Sequence, residues 1–416
     1  MQTKALRMYA ADDIRLEEFE LPEIRDDEIL IKIICDSVCM STYKTVKQGE
    51  KHKRVPAGIS EHPVIIGHEF AGDIVKVGAK WKDQFRPGDK FAQQPQIPGQ
   101  LKTPGYSYPY YGGDTQYAIV PNEIIEKGCF FHNEGSYFEA SIAEPVACCV
   151  AGFHSMFHSI PESYEHAYGN KPDGNLIIMG GCGPMGLAAI SYALCTENKP
   201  KRVVVTDIND DRLARAAQVI PITEAHEKGI QLLYVNTASM DDQVEELVDL
   251  TDGHGYDDVF IFAPVQSMAE IGDKILADGG CLNIFAGPAD NTFSGNVNLY
   301  NIHYSGHHYV GCTGSLISDL QEVVDKASRG LLKPAVMITH IGGINAARET
   351  TLHLPTIPGG KKLLYMQIEL PLTAIEDFRE LGKTNPLFEK LADSCDAHNG
   401  LWNAEAEDIL LKHFNA

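Results

Sequence analysis

The sequence predicts an α/β chain of two domains, one rich in short strands and one built on a doubly wound parallel sheet. Three observations predict it. The chain has 416 residues, more than a single hydrophobic core usually serves. Between about 174 and 335, short apolar runs alternate with amphipathic stretches, as strands do with the crossover helices that join them. On either side strands and turns prevail and that rhythm is missing. The expected division is 1-155 with 335-416 as the strand-rich domain, and 156-334 as the α/β domain.

Each element has its own signal. Residues 29–34 are β-rich, 64–66 form an apolar run, and 72–78 alternate polar with apolar. Pro87-Gly88-Asp89-Lys90 is a turn between strands. Residues 93–109, rich in Pro, Gly and Tyr, read as a loop before a strand over 116–120. Further on, strands are expected at 175–179, 201–206, 257–262 and 280–285, with helices at 186–194 and 211–219. Pro355, Pro358 and Gly359-Gly360 interrupt the last third, which closes with an amphipathic helix over 404–414. The apolar stretch 176–194 is long enough to imitate a membrane span. Gly180, Gly181, Gly183, Pro184 and Gly186 near its front make a strand, a turn and a helix the better account.

Charge narrows the partners. Lys and Arg number 35 against 57 Asp and Glu, a formal charge of −22, which repels nucleic acid and anionic membranes. The 10 cysteines include no C-x-x-C pair, and residues 1–6 lack the apolar core of a secretion signal. A reduced, cytoplasmic protein with neither a nucleic-acid nor a membrane partner is expected.

Gly181-Cys182-Gly183-Pro184-Met185-Gly186 fits G-x-G-x-x-G, a weak pattern by itself. Here it follows a strand and opens a helix, and an acid, Asp207, ends the next strand, which makes it a dinucleotide site. The glycines allow the backbone close to a pyrophosphate, and the free N–H groups of the helix start bind it. Asp207 should accept from ribose hydroxyls and repel a 2′-phosphate, favouring NAD(H) over NADP(H). Arg212, one helical turn on, softens that preference, so NADP(H) is possible.

Gly67-His68-Glu69 follows the apolar run 64–66, with Cys39 upstream and Glu144-Pro145 downstream. Thiolate, imidazole and carboxylate together can hold zinc and leave a coordination position open. Singly, Cys39 reads equally as a small core residue, His68 as a hydrogen-bonded core histidine, and Glu144 as the start of a helix with Pro145 in its first turn. Zinc beside a nicotinamide cofactor implies hydride transfer between an alcohol and a carbonyl.

The run Gly67-His68-Glu69-x-x-Gly72-x-x-x-x-x-Gly78, then Pro87-Gly88-Asp89, Glu144-Pro145 and the fingerprint at 181–186, resembles the zinc-type branch of the medium-chain dehydrogenase/reductase family. That family pairs a GroES-like β-barrel catalytic domain with a Rossmann NAD(P)-binding domain. Cys39-Met40-Ser41-Thr42-Tyr43-Lys44, His52-Lys53-Arg54-Val55-Pro56 and Thr339–Gly343 with Ile357–Lys362 bring the chain nearest to its polyol dehydrogenases, and among these to ketose 1-phosphate reductases.

The resemblance implies one catalytic zinc on Cys39, His68 and Glu144. Glu69 is implied either as a direct ligand or as a partner reached through water or ligand exchange. Ser41 falls where the family has the hydroxyl that passes the substrate proton. The chain departs from the family at Thr42, where an Asp is usual, at Lys44, where a relay histidine is frequent, and at Phe262-Ala263-Pro264. No cysteine lies between 85 and 128, so no structural zinc is expected.

Lys51-His52-Lys53-Arg54 is a basic run in an acidic chain, placed between Cys39 and His68. Lys51, Lys53 and Arg54 are candidates for holding a substrate phosphate, and Gly359-Gly360-Lys361-Lys362 is a second, weaker one. The expected reaction reduces a ketose 1-phosphate to a hexitol phosphate. Rivals are a zinc dehydrogenase of a free polyol or of threonine, a zinc-free reductase on the same fold, and a non-catalytic binding protein. A homo-oligomer, dimer or tetramer, is expected through the exposed strand of the nucleotide sheet.

Overall fold

The computed structural model describes residues 1–288 and 290–415. They fall into two compact units: Met1–Pro145 with Leu316–Gly330 and Ile338–Ala416, and Val146–Ser315 with Leu331–Met337.

The second unit is built on a six-stranded sheet. Its order is Gln231–Asn236, Arg202–Asp207, Asn175–Met179, Tyr256–Ile261, Leu276–Ile284 and His308–Val310, with every neighbouring pair parallel. Numbered by position in the chain this is 3-2-1-4-5-6, the doubly wound dinucleotide-binding order. The middles of its central strands are apolar because helices cover both faces, and Ile177, Val204, Val259 and Leu282 share one core. The apolar stretch 176–194 resolves into the strand Asn175–Met179 and the helix Pro184–Ala193. Among the described residues no helix is long and apolar enough to cross a membrane. The helix starts two residues earlier than its periodicity suggests, because Pro184 presets the first helical position.

The first unit holds an eight-stranded sheet around Ile29–Ser37. That strand pairs with Lys361–Tyr365, with Phe70–Val77 and with Tyr117–Val120, bending at two register shifts. Ile31, Ile33, Val64, Ile66, Phe70, Phe91 and Leu364 interlock beneath it in one core. Residues 94–116 carry no helix or extended strand, in line with the expected loop.

One element runs against the sequence. Residues up to 145 read as strands and turns, and Glu144 as a possible helix start. A 19-residue helix, Tyr137–Ser155, instead begins before Glu144 and carries Pro145 in its interior. Proline there removes the bond to the Ser141 carbonyl. Complete burial of Ile142, Ala143, Val146 and Ala147 offsets that loss. The helix start is capped from far along the chain: Glu407, on the helix Ala404–Phe414, accepts from the N–H groups of Tyr137 and Phe138 at 2.9 Å each. A carboxylate at that end also suits the helix dipole.

Candidate active site

Three stretches of the first unit converge. Cys39 caps the helix Met40–Gln48, its Sγ accepting from the N–H of Ser41 at 3.4 Å. His68 and Glu69 lie between the strands Val64–Ile65 and Phe70–Val77. Their backbone is pinned on several sides. Gln93 Nε2 donates to the His68 carbonyl at 2.7 Å, Asp36 Oδ1 accepts from the Glu69 N–H at 3.0 Å, and Ser141 Oγ donates to the Glu69 carbonyl at 2.5 Å. One ligand atom from each of Cys39, His68 and Glu69 lies within 4.8 Å of the other two. Glu144, expected as a ligand, lies outside that group of three, although its carboxyl interacts with that of Glu69.

Gly67 makes that close approach possible. Its φ is +87°, and a Cβ there would fall 2.0 Å from Asp36 Oδ2. Asp36 and Asp114 are both buried and act on each other, and burial raises both carboxyls, Asp114 to about 7. At neutral pH a shared proton therefore keeps the pair from carrying two charges beneath the site.

The electrostatics of the cluster are those of a cation site. Burial, then the charges of Glu69 and Glu144, push the Cys39 thiol up to about 12. Burial and Glu69 push Glu144 up to about 8. Burial holds His68 down to about 4, so its ring is neutral and free to ligate. Burial also opposes the charge on Glu69, but Lys361 outweighs it and holds the carboxyl below its ordinary range. Lys361 Nζ lies 2.6 Å from both carboxylate oxygens, and Ser37 Oγ donates to one of them. Three potential anions thus share one buried ammonium, a deficit that a divalent cation would fill.

Thr42 stands where the family resemblance implies an aspartate, and it supports the histidine: its Oγ1 lies 3.1 Å from His68 Nδ1. When Nδ1–H donates to this hydroxyl, Nε2 keeps its lone pair for a metal. Ser41 and Lys44 are exposed on the same helix.

The basic run divides. Lys51 and Lys53 are exposed, whereas Arg54 is half-buried against the Tyr106 ring, 5.6 Å from its centroid. Tyr106, from the loop 94–116, also packs on His68 with centroids 5.1 Å apart. Gly359-Gly360-Lys361-Lys362 does not present a phosphate site. Lys361 is engaged by Glu69, and Lys362 is buried, donating to the carbonyls of Pro358 and Gly360 at 2.6 and 2.7 Å. Burial without an acid partner lowers the Lys362 ammonium to about 8. The sequence marks Thr42 only as a missing acid and Lys361 only as a weaker phosphate candidate, and it gives no sign of Tyr106.

In the second unit, Gly181, Gly183, Pro184, Met185 and Gly186 form the turn from Asn175–Met179 into the helix Pro184–Ala193. A Cβ on Gly186 would fall 2.2 Å from the Gly181 carbonyl oxygen, so helix and strand meet there without a side chain. A Cβ on Gly183 would meet nothing within 4 Å, and no side chain caps this helix start. Open space before unsatisfied N–H groups fits a pyrophosphate. Asp207 ends the adjacent strand. Its Oδ1 accepts from the N–H groups of Ile208 and Asn209 and lies 4.0 Å from Arg212 Nη1.

Comparison with known proteins agrees with this architecture. Residues 25–128 match the alcohol dehydrogenase GroES-like domain and residues 184–329 the zinc-binding dehydrogenase domain. The chain is 46% identical to mannitol-1-phosphate 5-dehydrogenase of Aliivibrio fischeri, over 100% of this chain and 98% of that one. It is 41% identical to L-sorbose 1-phosphate reductase of Klebsiella pneumoniae, over 99% and 98%. A solved structure of a zinc-binding dehydrogenase from Sinorhizobium meliloti bound to NADP superposes with a TM-score of 0.70, at 19% identity, over 88% of this chain and 100% of the other. With a GroES-like domain beside a doubly wound sheet, and full-length likeness to sugar-phosphate enzymes, the chain belongs to the zinc-type medium-chain dehydrogenase/reductase family, in its polyol dehydrogenase branch.

Proposed function

We propose that this protein is a zinc-dependent, NAD(P)-linked reductase that converts a ketose 1-phosphate, L-sorbose 1-phosphate or a close isomer, to a hexitol phosphate, and runs in reverse as a dehydrogenase. The observation that carries the reading is the convergence of Cys39, His68 and Glu69 within 4.8 Å. The likeness to L-sorbose 1-phosphate reductase supports the substrate.

Cys39 and His68 would hold the metal with Glu69 or Glu144 as the carboxylate ligand, the other standing by for exchange. The turn 181–186 would hold the cofactor pyrophosphate, and Asp207 its ribose, favouring NAD(H). When bound, the metal supplies a Lewis acid to the substrate oxygen and the nicotinamide supplies the hydride. The carbonyl carbon takes that hydride and the oxygen takes a proton. Ketose phosphate, NAD(P)H and one proton thus give hexitol phosphate and NAD(P)+. The Ser41 hydroxyl, at the solvent edge of the cluster, delivers the proton. Thr42 keeps the His68 ring in one orientation, and Lys361 keeps Glu69 ionised.

Leu299, Tyr300, Ile302 and Tyr304 are exposed just before the edge strand His308–Val310, which supports a homo-oligomer formed through that edge. The test of function is a screen of ketose and hexitol phosphates beside free hexitols and threonine. It is run with NADH and NADPH, before and after chelation. Turnover that survives complete metal removal, or that is confined to threonine, would falsify the proposal.

A further inference from the structure

The basic run raises a sharper question: which of its cations meets substrate, and where on the sugar. Lys51 and Lys53 point to no acid and no ring among the described residues. Arg54 differs. In a chain of formal charge −22 it has no ion-pair partner among the described residues, yet it is half-buried. Its guanidinium leans on the Tyr106 ring at 5.6 Å, and its carbonyl accepts from Ser107 Oγ at 2.6 Å. This second bond ties the basic loop to the loop that carries Tyr106.

His52 joins the same group. Its ring stacks on Tyr106, centroids 5.5 Å apart, and its Nδ1 accepts from the Arg54 N–H at 3.3 Å. Burial and the neighbouring Arg54 and Lys53 charges lower its pKa, so the ring is neutral at pH 7. With Nδ1 accepting, the ring proton sits on Nε2, which has no partner among the described residues. The one Tyr106 ring is therefore packed by an unpaired guanidinium, by an imidazole with a free N–H, and by His68.

We infer that Arg54 and His52 form the phosphate subsite, and that their place beside Tyr106 selects ketoses phosphorylated on the carbon next to the carbonyl. This rests on the function proposed above and deepens it. A carbonyl oxygen at the His68 cluster and a phosphate at Arg54 would both border the Tyr106 ring. That spacing suits a 2-ketose 1-phosphate, whose phosphate hangs from the carbon bonded to the carbonyl. A 2-ketose 6-phosphate carries its phosphate at the far end of the chain. Arg54 offers a two-pronged contact to phosphate oxygens and His52 a third donor.

The test uses the zinc-loaded enzyme with NADH and three substrates of one configuration: the free ketose, its 1-phosphate and its 6-phosphate. In the wild type, kcat/KM for the 1-phosphate should exceed that for the 6-phosphate by at least about tenfold. Arg54→Ala should raise KM for the 1-phosphate at least about tenfold more than KM for the free ketose, the loss of a charge-assisted contact. Arg54→Lys should recover part of that loss, and Lys53→Ala should change the ratio by less than about twofold. Calorimetric titration with the ketose 1-phosphate and with inorganic phosphate runs beside the kinetics, so the subsite is read even without turnover. Binding that weakens in Arg54→Ala while no substrate reacts would uphold the subsite and sink the reductase. Turnover of the free ketose with equal losses on all three substrates in Arg54→Ala, or equal effects of Lys53→Ala and Arg54→Ala, would overturn the subsite and leave the reductase standing.

Discussion

Lys361 places its ammonium 2.6 Å from both oxygens of the Glu69 carboxylate, across 292 residues of chain, and neither side chain is more than a tenth exposed. An ion pair at that depth is weak evidence of net stabilisation, but removing one partner strands the other charge. Lys361→Met should therefore cost about 3–5 kcal/mol in chelator-treated protein. Zinc supplies a second compensating cation, so the loss should shrink once metal is restored. Urea unfolding with and without zinc measures both. Equal losses in the two states would show that the ammonium balances something other than this cluster.

Thr42 bears on the proposed metal site through its contact with His68. Thr42→Val keeps the shape and burial of the side chain and deletes the hydroxyl 3.1 Å from Nδ1. Zinc affinity should fall about 10–100-fold, as it does when a ligand histidine loses its orienting partner. Stability of the metal-free protein should change by about 1 kcal/mol or less. Thr42→Ser should restore the affinity. Competition with a chromogenic chelator reads the affinity directly, and a Val variant that holds zinc as tightly as the wild type would exclude the role.

The contrast between Thr42 and Lys361 shows which parts of this molecule the sequence exposes. Strands such as Asn175–Met179 and the tail helix Ala404–Phe414 emerge with their boundaries intact, since each is written in a local pattern of apolar residues bounded by turn or cap residues. The fingerprint turn is local too. His68 and Glu69 are neighbours, so the pair is visible at once. Lys361 sits in Gly359-Gly360-Lys361-Lys362, which reads as a weak phosphate candidate, and only the pairing of Lys361–Tyr365 with Ile29–Ser37 brings it to Glu69. The helix Tyr137–Ser155 was hidden for the same reason. Pro145 argues against it locally, and Glu407, which caps it, lies far along the chain. Tyr106 lies in an irregular loop whose composition does not say which ring packs on His68.

Gly67 sets the geometry of His68 and Glu69 through backbone rather than chemistry. At φ +87°, a Cβ would fall 2.0 Å from Asp36 Oδ2 and 2.6 Å from the Asp114 nitrogen, both in buried residues that cannot retreat. Gly67→Ala should lose about 3 kcal/mol or more and bind zinc poorly, because the ligands must shift with the backbone. Gly88→Ala is the control. Gly88 has φ +92°, but its Cβ would meet nothing within 4 Å, so only the left-handed strain of about 1–2 kcal/mol should appear. Thermal melts and zinc stoichiometry of the two variants separate strain from collision. Similar losses in both would mean that the contact with Asp36 is not what constrains this turn.

Glu407 makes the stability of the helix bearing Glu144 depend on pH. Burial raises its carboxyl from 4.5 to about 7, against the opposing pull of its bonds from Tyr365, Tyr137 and Phe138. Between those values the folded chain keeps a proton that the unfolded chain has released. Stability from this group is therefore fully present below about 4.5, falls as pH rises toward 7, and is level above. The shift corresponds to a term of about 3 kcal/mol at most. Glu407→Gln cannot titrate, and its amide cannot accept at both oxygens, so the variant should be less stable at every pH. The decisive quantity is how that deficit changes. The advantage of the wild type over Glu407→Gln should be about 2–3 kcal/mol larger at pH 5 than at pH 8, because other carboxyl groups cancel in the difference. Urea unfolding at the two pH values measures it. A constant difference would mean that Glu407 is ionised throughout and caps the helix as a full charge.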